Sequence, residues 1–396
     1  MHVCLSLPVR LRTDVRARRV AATLADAGYV VSIIDFESDR RLPDTETLNN
    51  ITVTHMKMPS LFVPARFKPW FLVKLTWMFV RAARQLLRMP ADIYHASDLK
   101  ALLPTYIAAR LRRKPLIFES YELPLVEPKV RRWRRLHALA VRMIRLLIKR
   151  CDAVIVVSPP IVREVHHQYG GPMPTLLRNM PTYQPPLASN RLRERLGLPA
   201  TTRIALYQGN ISENRSLDVL VRAARYLPDN LVIVLMGNGP STERLAALIA
   251  HEGVGERVRL VPAVSYSELL AWTASADLGL ILLSPDFSLN IRYCLPNKLF
   301  EYLMAGLPVL TSSLEAVAEV LTRYDAGQVC PSLAPEEIAR SITTMLADGV
   351  SMARWHANAL AAARELNWEV EQTTLLNLYE NLLQRQLGQN KSGMTR

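Results

Sequence analysis

A chain of 396 residues, 49% hydrophobic and 21% charged, is long enough for two cores and too apolar to be disordered. Its four cysteines (Cys4, Cys151, Cys294, Cys330) have no close spacing, which argues against a zinc site or a disulfide framework and fits a reducing compartment. The net charge of +14 is lopsided: residues 1–185 hold 30 Lys/Arg against 14 Asp/Glu, residues 186–396 hold 19 against 21, so the first half is expected to meet an anionic surface or substrate.

The opening MHVCLSLPVRLRTD lacks the long apolar stretch of a signal peptide, and no run of about 18 uncharged apolar residues could span a bilayer. A cytoplasmic protein is expected. Short β-branched runs then alternate with longer amphipathic segments, the pattern of parallel α/β units. Strands are predicted at HVCLSL, VVSIIDF, ITVTHM, DIYHA, PLIFES and AVIVVS. Between the first two, Val20, Leu24 and Ala27 fall near helical spacing and Gly28 marks the stop.

Two segments of this first half carry the charge. In PWFLVKLTWMFVRAARQLLR, residues Trp70, Lys74, Trp77, Arg81, Arg84 and Arg88 follow at steps of 4, 3, 4, 3 and 4, which is one helix face. Phe71, Leu75, Met78 and Ala82 form the adjoining apolar face. VRRWRRLHALAVRMIRLLIKR repeats the stripe with Arg131, Arg135, Arg142, Arg145 and Lys149. Neither 47–91 nor 128–150 contains an Asp or Glu. Basic faces with interfacial Trp suit a helix lying on anionic lipid head groups, so a peripheral position on the inner face of the cell membrane is expected. The alternatives are a solvated basic face or core tryptophans. No RNA- or DNA-binding motif accompanies the charge, and nucleic acid is not expected as a partner.

The Pro-rich NMPTYQPPLASN (179–190) reads as a linker, after which the strand pattern restarts with IALYQG, LVIVLMG, VRLVP, LGLILL and PVLTS. Three strand-to-helix turns follow one another here. LYQGNISENRSLDVLVRA places Gly209, Asn210 and Arg215 ahead of a helix. VLMGNGPSTERLAALI does so with Gly237, Asn238 and Gly239, and CLPNKLFEYLMAG opens a helix on Asn297 and Lys298. Free N–H groups and the positive helix end suit phosphate. One such turn is mostly just a turn; three on one sheet edge predict a nucleoside diphosphate site.

GNISENRSLDVLVRAA, GNGP and above all LPNKLFEYLMAGLPVL resemble the donor-binding domain of GT-B glycosyltransferases, specifically the family 4 group. In the first half, DVRARRVAATLADAGYVVSII resembles that family's opening Asp-x-Arg, long helix and Ala-Gly before the second strand. DIYHASDLKALLPTYIAARL is similar to its Asp-hydrophobic-x-His segment, and CDAVIVVSPPI and LLRNMP fall where its later motifs fall, so the resemblance covers about residues 1–385. It implies an α/β GT-B fold of two Rossmann-like domains facing across a cleft. These would be an acceptor-binding domain over 1–183, a linker over 184–201 and a nucleotide-sugar domain over 202–365. A helix over 366–386 would return to the first domain, and 387–396 would form a tail.

The same resemblance implies transfer of a sugar from a nucleoside diphosphate sugar to a hydroxyl acceptor, retaining and metal-independent, with no cofactor. The membrane association expected from the basic helices would bring a lipid-linked acceptor, or a cell-envelope or exopolysaccharide glycan, to the cleft. Glu301 matches the second glutamate of the family's Glu-x7-Glu, which binds the donor ribose; a carboxylate suits a diol because it accepts two hydrogen bonds. Arg215 and Lys298 would meet the diphosphate, and Asn290, Tyr293 and Asn297 the sugar and phosphates. Two positions depart from the pattern. Tyr293 stands where the first glutamate is expected, leaving the donor sugar open. FESYEL has Tyr121 and Glu122 where the family often has His-Glu, so Tyr121, Glu122 or Glu119 would replace the histidine's work on the acceptor side. His95, at the DIYHASD strand end near Asp98, is a further catalytic candidate. The rival functions are a GT-B nucleotide-sugar epimerase, which would turn over donor without acceptor, and a non-catalytic partner subunit, which would bind a protein and transfer nothing.

Overall fold

The structure, a computed structural model, describes residues 1–37, 39, 41–57, 68–124 and 134–393. Its contacts divide the chain into two units, Met1–Arg178 with the segment from Gln372 onward, and Asn179–Glu371.

In the first unit the strands are β1 (His2–Ser6), β2 (Val30–Glu37), β3 (Thr45–Leu48), β4 (Ile51–Lys57), β5 (Ile93–Ser97), β6 (Leu116–Ser120), β7 (Ala153–Val156) and β8 (Thr175–Leu176). They form one sheet in the order β3-β4-β2-β1-β5-β6-β7-β8, parallel except where β3 runs against β4. The helix Val15–Asp26 starts on Asp14, whose side chain accepts from the Ala17 amide at 2.9 Å. It buries Val20 and Leu24, and stops before Gly28, whose φ of 85° favours glycine. The helix Trp368–Gly393 adds Tyr379, fully buried, whose ring meets Tyr29 edge-on at 5.9 Å.

The second unit holds β9 (Arg203–Gln208), β10 (Leu231–Met236), β11 (Val258–Val261), β12 (Leu278–Ile281), β13 (Val309–Thr311) and β14 (Gly327–Val329). They form a parallel sheet in the order β11-β10-β9-β12-β13-β14. Alternate residues feed two cores: Leu206, Val234 and Phe300 share one, Tyr207, Ile233 and Leu280 the other. Burial on both faces is why these strands read as unbroken apolar runs. Strand order reverses between β9 and β12, and in such sheets ligands bind at the carboxyl ends beside the reversal.

The predicted strands coincide with eleven of these; β3, β8 and β14 were not foreseen. β8 and β14 are two and three residues long, and the exposed edge strand β3 reads TETL, so none carries enough apolar pattern to register. The stretch expected as a linker over 184–201 contains the helix Arg191–Leu196, with Leu192 fully buried in the second unit's core. Where a tail was expected from 387, the last helix continues to Gly393. Among the described residues no helix is long and apolar enough to cross a membrane.

Candidate active site

At the reversal point β9 and β12 pair only at Ala205 and Leu206, then part. Tyr302, from the helix Asn297–Met304, fills the split. Its hydroxyl donates to Leu206 O at 2.9 Å and accepts from Gln208 N at 3.1 Å, replacing the missing strand partner. Gly279 of β12 makes room: a Cβ there would fall 2.5 Å from the Tyr302 ring. With Tyr302 so fixed, its neighbour Glu301 is set beside Gln208, whose amide nitrogen donates to Glu301 Oε2 at 2.6 Å. Gln208 Oε1 in turn accepts from Thr273 Oγ1 at 2.8 Å.

The first two glycine turns are stitched together like an extension of the ladder. Gly209 N donates to Met236 O at 2.9 Å and Ile211 N to Asn238 O at 3.0 Å. The backbones touch so closely that a Cβ on Gly237 would sit 1.8 Å from Gly209 O, and one on Gly239 2.1 Å from Ile211 O. Asn238 Oδ1 accepts from the Ala263 amide at 3.2 Å, and the Tyr207 hydroxyl donates to Asn210 O at 2.7 Å. Lys298 lies over this floor, its ammonium 3.6 Å from the centre of the Tyr207 ring and within van der Waals reach of Gly209. Burial and the charge of Arg215 push the Lys298 ammonium down to about 7, against the pull of Glu301. Arg215 ends the short turn Glu213–Arg215. Asn290 and Tyr293 stand half-buried on and after the helix Leu289–Arg292, and Asn297 is exposed at the start of the next helix. Gly209, Gly237, Gly239, Lys298, Arg215 and Glu301 thus share one sheet edge. Sequence reasoning missed Gln208, Thr273 and Tyr302; a glycine inside a strand, Gly279, was the available sign of a close approach.

The first unit's candidates divide differently. His95 is fully buried, its Nδ1 2.7 Å from the Tyr379 hydroxyl and its Nε2 3.3 Å from Glu119 Oε2. Enclosed in this way His95 does not reach solvent within the first unit, where it lies between Tyr379 and Glu119. Glu119 also takes two hydrogen bonds from Arg16, at 2.8 and 2.6 Å, and Arg16 donates to Leu177 O at 2.8 Å. Burial pushes the Glu119 carboxyl up, but the charges and hydrogen bonds of Arg16 and His95 outweigh it and leave the group at about 2. Tyr121 is half-buried, 5.7 Å beneath the Arg16 guanidinium, with its hydroxyl 3.5 Å from Asp14 Oδ2. Burial and the charges of Glu119 and Asp14 hold that hydroxyl well above the ordinary tyrosine range, so it offers a proton donor rather than a base. Glu122 is exposed, and the Ser120 hydroxyl donates to its carbonyl at 2.6 Å.

On the helix Lys68–Arg88, Trp77 is 47% exposed, with the Arg81 guanidinium 5.4 Å from its ring, and Val73, Val80, Arg84 and Arg88 are exposed as well. Lys74 is half-buried, while Met78 and Ala82 point into the core. The neighbouring helix Leu99–Arg112 shows Ile107 and Leu111, and next to it Arg134–Ile148 shows Leu139, Arg142, Met143, Arg145 and Leu146. Arg131 lies outside the described residues, as do the side chains of Trp70 and Arg135.

Comparison with known proteins gives the family of both units. Residues 188–361 match the family model of glycosyl transferases group 1, and residues 14–175 that of Glycosyltransferase Family 4. A D-inositol 3-phosphate glycosyltransferase of Xylanimonas cellulosilytica is 29% identical over 216 residues, 52% of this chain and 50% of that one, so the match spans about half the relative's length. Among solved structures, sucrose-phosphate synthase from Thermosynechococcus elongatus superposes with a TM-score of 0.78 at 18% identity, covering 97% of this chain and 100% of that one. Anabaena Alr3699/HepE in complex with UDP gives 0.73 at 18% identity, with the same coverage. With both units matched in this way, the chain belongs to the GT-B glycosyltransferases of the family 4 type.

Proposed function

We propose that the protein moves a sugar from a nucleoside diphosphate sugar to a hydroxyl acceptor, with retention of configuration and without a metal. The observation that carries this reading is the pairing, on one sheet edge, of a held carboxylate, Glu301, with a lysine poised over a glycine floor, Lys298 above Gly209. Glu301 accepts from the ribose hydroxyls. Lys298, Arg215 and the amides at the start of the helix Asn297–Met304 meet the diphosphate, where negative charge grows as the bond to the sugar breaks. The acceptor oxygen bonds to the anomeric carbon on the face the phosphate leaves, and the departing phosphate oxygen takes the acceptor's proton. No protein nucleophile is needed. In this reading Lys298 and Arg215 supply the positive charge that compensates the diphosphate.

The exposed Trp77, Leu111, Leu139 and Leu146 among arginines on three adjacent helices support an acceptor presented at an anionic membrane surface. A phosphorylated polyol is the second reading, favoured by the names of the inositol phosphate and sucrose-phosphate relatives; an anionic surface and an anionic acceptor both suit the basic first unit.

A thermal-shift screen of UDP-, GDP-, ADP- and dTDP-sugars identifies the donor, and calorimetry then tests Glu301→Gln. Loss of a charged acceptor for two hydroxyls predicts affinity lower by about 10–100-fold, from roughly 1.5–3 kcal/mol for such bonds. Unchanged affinity refutes the ribose role. Sugar turnover without any acceptor would instead point to an epimerase.

A further inference from the structure

We propose that Gln208 is the positioning residue that sets the protein's preference for a ribonucleotide over a deoxyribonucleotide, by fixing which way the Glu301 carboxylate faces. The inference rests on the reading of Glu301 as the ribose clamp and goes beyond it. Glu301 sits on a helix surface where its side chain could adopt several rotamers, and only one of them presents the oxygens to a diol. Gln208 is 2% exposed, so its amide has no water to turn to, and it is held from both sides.

The polarity of that hold follows from chemistry. An ionised carboxylate only accepts, so the amide NH2 of Gln208 must face Glu301, as the 2.6 Å contact shows. Its carbonyl oxygen therefore faces Thr273, which is fully buried and supplies the hydroxyl proton at 2.8 Å. The Thr273 hydroxyl is also 2.8 Å from Leu269 O, one turn back on its own helix. If the proton went wholly to Leu269, Gln208 would be drawn to turn its NH2 towards Thr273 and its carbonyl towards Glu301, which is repulsive. Thr273, Gln208 and Glu301 thus form a directed relay from a buried helix to the ligand edge. The Gln208 backbone is itself pinned by the Tyr302 hydroxyl, so the amide starts from a fixed point.

The test measures binding of UDP, GDP and ADP, each against its 2′-deoxy form, by calorimetry on the full chain. The wild type is expected to favour the ribose form by about tenfold or more. Gln208→Leu should bring that ratio closer to one, by weakening the ribose form, which loses two bonds to the carboxylate, more than the deoxy form, which has only its 3′-hydroxyl bond to lose. Thr273→Val, nearly isosteric, should lose part of the ratio in the same way. An unchanged Tm serves as the folding control: if Gln208→Leu weakens both forms equally, so that the ratio stays intact, Gln208 does not orient the clamp and the proposal is overturned. Failure of the underlying reading looks different, because Glu301→Gln would then keep the full ribose preference.

Discussion

Lys298 occupies a place where its charge is costly until an anion arrives. Burial, with Arg215 close by, brings its pKa down to about 7, while Glu301 pulls the other way; Tyr207 and Cys294 complete the groups that face it. A bound diphosphate raises that pKa again, so the complex holds the proton more firmly than the free protein does. Affinity is then full below about 7, where Lys298 is already charged. It falls by up to tenfold per pH unit above it, until the pKa of the complex is reached. UDP binding should weaken by at least about tenfold between pH 7 and 9 in the wild type, relative to Lys298→Met, and calorimetry in buffers of different ionisation enthalpy should register proton uptake at pH 8. Ionisation of the nucleotide phosphate is common to both proteins, so the difference isolates Lys298. Identical pH profiles would rule the linkage out. Tyr293 shows the limit of reading residues singly: it stands where the family resemblance leads one to expect a carboxylate, and the residue type alone does not specify what it contacts.

At the level of elements, the split between β9 and β12 is what converts a strand, a glycine and a helix into a site. Gly279 has no Cβ, the Tyr302 ring takes that space, and the hydroxyl closes the ladder that the parting strands leave open. Gly279→Ala would press a methyl into a buried ring with no room to move. The cost expected is about 1–3 kcal/mol, or a fall in Tm of roughly 2–10 °C, with nucleotide affinity reduced as Glu301 shifts with Tyr302. Thermal unfolding and calorimetry on one preparation check both, and an unchanged Tm would mean that the sheet, not Tyr302, sets the helix. The motif around Glu301 was legible in sequence because helix-start chemistry and the carboxylate lie within five residues. Its support was not, because Gln208, Thr273, Gly279 and Tyr302 meet only once the sheet order is known. The burial of His95 was hidden for the same reason: a histidine at a strand end reads as available, and it is the last helix, almost three hundred residues on, that covers it.

On the scale of the whole molecule the asymmetry of charge outlasts every local detail. The α/β class was legible throughout, since long strands buried on both faces announce themselves, whereas β8 and β14 are too short to do so. Charge alone did not say whether the basic helices turn outward, because a tryptophan at helical spacing suits a core as well as a surface. The exposure of Trp77 with Arg81, Arg84 and Arg88, and of Leu139, Met143 and Leu146 with Arg142 and Arg145, decides for an outward face. Apolar side chains on such a face lose water contact only by entering another phase or partner, and arginines among them attract anionic head groups at about 1 kcal/mol each near the surface. Flotation with liposomes should therefore show binding to vesicles containing phosphatidylglycerol, weak binding to neutral vesicles, and release at high salt. Trp77→Ala combined with Leu139→Ser should reduce flotation at low salt without lowering UDP affinity, because both residues belong to the first unit and the donor groups to the second. Failure to float with any lipid at any salt would remove the membrane from the function and leave a soluble anionic acceptor, such as a phosphorylated polyol, as the reason for the basic half.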